Sequence, residues 1–224
     1  PLDVVRRTFA CTTQLAGELP LRLPLRRHIK ARFPSLNRRR LAEKFATDTL
    51  FSSSIALGGY TCAQLYCGIE SRYIRVYGMR TESEAPDTFD DFVHEDGAPS
   101  AIHNDNSKTQ TGLRWRDRLR KYVVGASTTE PHHPQQNPAE REIKMVKQTA
   151  LKTMDRTGAP SYTWLLCMLY VVQVLNHMAR PALNHRCAIE RCFGNTPDIS
   201  KFLQFDFWEP ILFLDPESSF PDTK

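Results

Sequence analysis

Three carboxylates stand where acids can do chemistry together: Asp48, Asp105 and Glu140. Asp48 lies inside Phe45-Ala-Thr-Asp-Thr-Leu-Phe51, which reads as a short strand, and Asp105 ends the apolar run that begins at Ala101. Glu140 opens a long helical pattern, 35 positions after Asp105. An acid on a strand, one ending a later strand and one opening a helix make a carboxylate cluster suited to two divalent metals. Phosphodiester transfer spreads negative charge over a transition state that is already anionic. Two divalent ions about 3.5–4 Å apart activate the attacking oxygen and stabilise the leaving one. Three carboxylates and one phosphate carry a charge of about −4, which two such ions balance, whereas clustered acids alone repel each other. Oxygen donors with positions left open for water and substrate suit Mg2+ or Mn2+ rather than zinc. The chemistry that such a cluster suits is phosphoryl transfer on nucleic acid.

With 25 acidic residues in the chain, spacing alone would select no triad; the flanking residues do. The second acid sits in His103-Asn-Asp-Asn-Ser-Lys108 and the third in Pro134-Gln-Gln-Asn-Pro-Ala-Glu-Arg141. Downstream come Ala188-Ile-Glu190, Gly194-Asn-Thr-Pro-Asp-Ile-Ser200 and Phe205. In order and content these stretches resemble the catalytic core of retroelement integrases, the D,D,E group, and particularly the integrases of copia-type retrotransposons. The resemblance runs from about Lys44 to about Leu214. It implies an RNase H-like α/β (α+β) fold and makes Asp48, Asp105 and Glu140 the catalytic and metal-binding residues, holding two Mg2+ or Mn2+ ions. The implied activity is hydrolytic trimming of element DNA 3′ ends, then attack of the new 3′-hydroxyl on target DNA. The implied partners are element-end and target DNA and further copies of the chain, as a dimer or larger, with the nucleus as the place of integration. Three departures from the family pattern stand out. Ser107 replaces a glycine after Asp-Asn, Pro138 replaces the glycine before the catalytic helix, and no His/His/Cys/Cys zinc module is visible in residues 1–43.

Glu142 competes with Glu140 for the third place. Residues two apart on a helix point about 200° from each other, so one of them at most faces the metals. The Glu-Arg match selects Glu140. Lys144 and Lys147 share its face, beside a core stripe of Ala139, Ile143, Val146 and Ala150, and form a basic ladder that can grip a DNA end. A bland reading of Lys144 as half of a helix salt bridge is worth only tenths of a kcal/mol. Gln136 and Asn137 lie in the loop before the helix as DNA-contact candidates, and Asn106 is placed to orient Asp105 or a metal-bound water.

The elements that must position these residues read in the order βββαβαβαα. Lys44–Ser53, Tyr60–Ile69 and Tyr73–Met79 form an antiparallel meander, and Thr81 or Ser83 caps a helix with Phe89, Phe92 and Val93 on one face. A fourth strand ends at Asp105, a helix spans 109–121, and Tyr122–Ser127 gives a fifth strand. Pro138 suits the first turn of a helix running to about Thr157, and another covers Tyr162–Met178. The expectation is a mixed five-stranded sheet flanked by helices. Residues 1–43 form a basic arm with a short helix near Val4–Ala16, 44–180 the core, and 181–224 an extension with little regular pattern.

Composition fits one core with arms, at 224 residues and 41% hydrophobic. The longest apolar run, Trp164–Val172, is far short of the roughly 18 residues of a membrane span, and no secretory signal opens the chain. The start at Pro1 reads as that of a fragment or of a processed piece of a polyprotein. Six cysteines without a CxxC pair read as reduced intracellular thiols rather than a zinc site of Cys187, Cys192, His177 and His185. Residues 1–45 hold 11 Lys and Arg against 3 Asp and Glu. Arg38, Arg39 and Arg40 stand just before the first strand and are expected to bind DNA by releasing its counterions. Other classes share these residues: a structure-selective nuclease of the same fold, a degenerate retroelement relic that only binds DNA, and a protein-interaction module built on Tyr162–Met178.

Overall fold

A computed structural model of the chain describes residues 2–15, 38–104, 112–128 and 138–212. Five strands, β1 (Lys44–Phe51), β2 (Cys62–Gly68), β3 (Ile74–Met79), β4 (Ala101–Asn104) and β5 (Gly125–Thr128), form one sheet in the order β3-β2-β1-β4-β5. The first three make the expected antiparallel meander, while β4 and β5 join in parallel. Six helices accompany them among the described residues: α1 (Leu2–Cys11), α2 (Ala85–Glu95), α3 (Leu113–Lys121), α4 (Pro138–Thr157), α5 (Trp164–His177) and α6 (Ala188–Phe193).

Strand alternation divides β1 between two cores. Ala46 and Leu50 face a layer built by α4 and α5, where Ala139, Ile143, Val146 and Ala150 meet Leu65 and Val76. Phe45 faces the opposite layer with Phe89, Phe92, Trp115 and Tyr122, and Tyr66 stacks on Phe92 with ring centroids 4.7 Å apart. Each large side chain buried in this way contributes about 1.5–3 kcal/mol. The buried polar groups of the central strands satisfy one another: Gln64 Nε2 donates to Thr47 Oγ1 (2.6 Å), and Thr49 Oγ1 donates to Gln64 Oε1 (2.7 Å). The sheet can therefore bury polar residues on β1 without loss.

Several sequence expectations are corrected. The apolar stretch from Tyr122 does not start a strand; Tyr122 turns out of α3 into the core, Val123 takes a left-handed φ of 53°, and β5 begins at Gly125. Buried aromatic area outweighs β propensity at this point. No side chain of Thr81 or Ser83 caps α2. A 3-10 turn, Glu82–Glu84, intervenes, and the two hydroxyls bond each other at 2.7 Å. From Pro181 onward the chain is more regular than its pattern suggested. β6 (Ala179–Arg180) and β7 (Arg186–Cys187) form a hairpin, and α6 follows directly. α1 packs on that hairpin, Ala179 N donates to Thr8 Oγ1 (3.0 Å), and Thr13 pairs with the 197–199 backbone. Tyr162, Leu166 and Leu169 stay exposed at α5 and the turn before it, and no described helix is long and apolar enough to cross a membrane.

Gly97 fixes the entry to β4. Its φ is +127°, and an added Cβ would lie 2.7 Å from the Arg39 carbonyl oxygen, in the segment where Leu41 N donates to Ala98 O (2.9 Å) and Ala98 N to Arg39 O (2.8 Å). Backbone cannot give way there as a side-chain tip can. Gly97→Ala is expected to cost roughly 2 kcal/mol or more, which denaturant unfolding would read as a lower midpoint at unchanged slope.

Burial holds the His177 imidazole below its ordinary value of 6.5, opposed by the bond to the Gln173 carbonyl and reinforced by Lys201. Burial, with Lys44, lowers His103 as well. The unfolded chain then binds more protons than the folded one just below pH 6.5. Stability is accordingly lost as pH falls through about 6.5 and levels off below the folded values. Thermal midpoints between about pH 7 and pH 5 should fall, and His177→Gln should lessen the slope.

Candidate active site

Asp48 sits at the middle of β1, half-buried, with Leu65 of β2 as its register partner. Lying between Ala46 and Leu50 in the alternation, it projects from the face covered by α4 and α5. Its Oδ1 accepts a 2.7 Å bond from the Thr49 amide. The preceding residue, Thr47, is the parallel register partner of Asn104, which is buried and ends β4. Asp105 follows Asn104 in the chain and lies outside the described residues, as do Asn106, Gln136 and Asn137.

Glu140 occupies the first turn of α4 and is exposed, with Ala139 beneath it wholly buried against the sheet. An acid in a first helical turn is favoured by the unpaired N–H groups there. Pro138 opens the helix, as its sequence position predicts. Because α4 packs on β1 and β2, Asp48 and Glu140 belong to the same side of the sheet. Glu142 is disposed differently. It is buried, and its Oε2 accepts a 3.2 Å bond from Arg180 Nη1 on β6. Glu142 is committed to the fold and Glu140 is presented to solvent. Lys144 is exposed and Lys147 half-buried further along α4. Both acids are hard oxygen donors on adjoining elements, a set that fits Mg2+ or Mn2+. Among the described residues no group of three or more His, Cys, Asp or Glu side chains gathers as a metal site, and the third expected acid lies outside them.

The three arginines before β1 do not sit beside Asp48. Arg40 donates to the carbonyls of Tyr122 (2.6 Å) and Val123 (3.0 Å), closing the turn after α3. Arg39 lies over the Phe193 ring at 4.6 Å, and Arg38 Nη2 is 3.3 Å from His94 Nε2. β1 runs from this end toward Asp48, so adjacency in sequence becomes separation along a strand, about 13 Å between Lys44 and Asp48 alone. A different basic group lies along α4. Arg72, Arg141 and Arg180 line a cleft of about 340 Å3 together with Glu142 and Met145. Of the three, only Arg141 belongs to a motif that the sequence singled out. Arg72 comes from the β2–β3 turn and Arg180 from β6, so no local pattern could have grouped them.

The cysteine and histidine positions diverge. Cys187 Sγ lies against Cys11, Cys192 neighbours Ser71 and Glu43, and His177 Nδ1 donates to Gln173 O at 2.7 Å.

The sequence matches no protein-family model and no curated protein. The fold does have counterparts among solved structures. A chain of the simian T-cell lymphotropic virus intasome in complex with PP2A regulatory subunit B56 gamma matches with a TM-score of 0.55 at 16% identity, over 84% of this chain and 64% of that one. The HTLV-2 integrase catalytic core domain in complex with magnesium (trimeric form) matches at 0.55 and 16%, over 69% and 99%. The catalytic core domain of BIV integrase matches at 0.55 and 15%, over 68% and 95%. The chain thus spans about two thirds of the intasome chain and nearly all of the isolated cores. Its fold is the RNase H-like fold of integrase catalytic cores, a mixed five-stranded sheet flanked by helices.

Proposed function

We propose that this chain carries the catalytic core of a copia-type retrotransposon integrase, which trims the 3′ ends of element DNA and joins them to target DNA. One observation supports the reading above others. In an integrase-core fold, the alternation of β1 turns Asp48 to the side covered by α4, whose first turn presents Glu140 while Arg180 occupies Glu142. Asp48, Asp105 and Glu140 would hold two Mg2+ or Mn2+ ions. When bound, these supply positive charge to the attacking and leaving oxygens of an in-line displacement.

The protein's own groups do the rest. The Thr49 amide fixes the Asp48 carboxylate, and Ala139 seats the first turn of α4 so that Glu140 stays outward. Lys144 and Lys147 carry positive charge along α4 toward a DNA end, with Arg72 and Arg141 in the adjoining cleft as further phosphate contacts. Gln136 and Asn137 complete the DNA-contact set. Residues 44–180 act as the core, with 1–43 as a basic arm and 181–224 as an extension. Joining two DNA ends calls for self-association into a dimer or larger, and the reaction belongs in the nucleus.

The test is strand transfer on pre-trimmed DNA with Mg2+ or Mn2+. Metal-dependent joining supports the proposal. Cutting without joining would replace it with a structure-selective nuclease, and salt-sensitive DNA binding without turnover would replace it with a relic. In binding assays Lys144→Ala and Lys147→Ala should each reduce the slope of log affinity against log salt by about 1, with little effect on sequence preference.

A further inference from the structure

We propose that Cys11 and Cys187 are a redox-sensitive pair, which a small-molecule disulfide of the glutathione type oxidises to a bond stapling α1 to the β6–β7 hairpin. The two Sγ atoms are 3.3 Å apart although 176 residues separate them in sequence. A disulfide needs about 2.05 Å, so closure asks for little more than 1 Å of movement. Both sides are already held in register. Thr8, one turn before Cys11, accepts from the Ala179 amide, and Ala179 is the β partner of Cys187. Thr13, two residues after Cys11, bonds the backbone at Pro197 and Ile199, and Asp198 Oδ2 accepts from the Leu15 amide at 2.8 Å.

The remaining cysteines have no such partner thiol. Cys62, Cys67 and Cys167 are buried beside backbone carbonyls, and Cys192 sits by Ser71 and Glu43. Access favours one order of events. Cys11 is half-buried and lines an open cleft of about 530 Å3 with Arg7, Asn184 and His185, whereas Cys187 is fully buried. Burial also pushes the Cys187 thiol up to about 12, so it is the poorer first nucleophile.

The thiolate of Cys11 attacks one sulfur of oxidised glutathione. The S–S bond of the oxidant breaks, one glutathione leaves as thiolate and takes up a proton, and Cys11 carries a mixed disulfide. Cys187 then attacks the Cys11 sulfur, the bond from Cys11 to glutathione breaks, and the second glutathione leaves with the proton that Cys187 gives up. Two protein thiols are oxidised and one disulfide is reduced to two thiols.

The pair belongs to the docking of α1 and is independent of the carboxylates, so it stands or falls apart from the integrase reading. It is tested on the full chain without metal or DNA, by incubation with oxidised glutathione, thiol counting, mass spectrometry of non-reduced peptides and thermal unfolding. The expected result is loss of two thiols, a linked Cys11–Cys187 peptide, and a midpoint raised by roughly 5 °C or more that dithiothreitol reverses. Cys187→Ala should instead accumulate a glutathione adduct on Cys11, and Cys11→Ser, altered at the more exposed partner, should show neither. A stable adduct on Cys11 of the unaltered protein, linkage between other cysteines, or unreacted thiols would overturn the proposal.

Discussion

Asp48→Asn and Glu140→Gln are expected to abolish metal-dependent DNA joining, each by on the order of 1000-fold or more, while the folded protein persists. Each change removes one negative oxygen donor and almost no volume. The side-chain amide introduced by Asp48→Asn keeps an oxygen that can accept from the Thr49 amide, so the local bond at 2.7 Å survives. Glu140 is exposed, so its neutralisation disturbs no packing. Without metal, removing one charge from a set of acids relieves repulsion, so unfolding midpoints should hold or rise slightly. Addition of Mg2+ or Mn2+ should stabilise the unaltered protein in proportion to how far metal exceeds its dissociation constant, and that gain should shrink in both variants. The pairing of lost activity with a lost metal response is the informative outcome. Full activity in Asp48→Asn would remove this acid from the chemistry.

The second large effect is on stability and falls on Arg180. Its side chain is 13% exposed and that of Glu142 7%, with 3.2 Å between Nη1 and Oε2. Arg180→Ala strands a buried carboxylate and is expected to cost about 3–5 kcal/mol. Glu142→Leu combined with Arg180→Met should cost far less, because a well-packed apolar pair avoids desolvating two charges. Arg180 Nη2 is itself buried without a hydrogen-bond partner among the described residues, which makes the apolar replacement more favourable. Equilibrium denaturation of the three variants measures this directly. Glu142→Gln should lower stability and leave chemistry in the surviving folded protein, the reverse of Glu140→Gln. A Glu142→Gln enzyme that is stable but inactive would exchange the roles assigned to the two acids.

Some of this was readable from the residues. Alternation in Phe45–Phe51 fixed which side chains share a face with Asp48, because successive strand residues can only point oppositely. The stripe Ala139, Ile143, Val146 and Ala150 appears as the buried edge of α4, and Pro138 opens that helix. Periodic burial is a local signal, and it survives folding. The surroundings of the arginines before β1 were not readable, for the converse reason. Arg38, Arg39 and Arg40 are near Asp48 in number, but a strand carries the chain away from them, and their guanidiniums find His94, Phe193 and the Tyr122–Val123 carbonyls instead.

By itself the sequence determined the order of elements from β1 to α5 and the faces of β1 and α4. Tertiary structure alone decided what holds Glu142 in the fold, because Arg180 is 38 residues from it and no periodicity links them. It likewise decided that Arg72, Arg141 and Arg180 share one cleft, and that Cys11 and Cys187 touch across 176 residues. Contacts between distant segments depend on how layers stack and chains return. Propensity and spacing act over only a few residues, so they cannot carry that information.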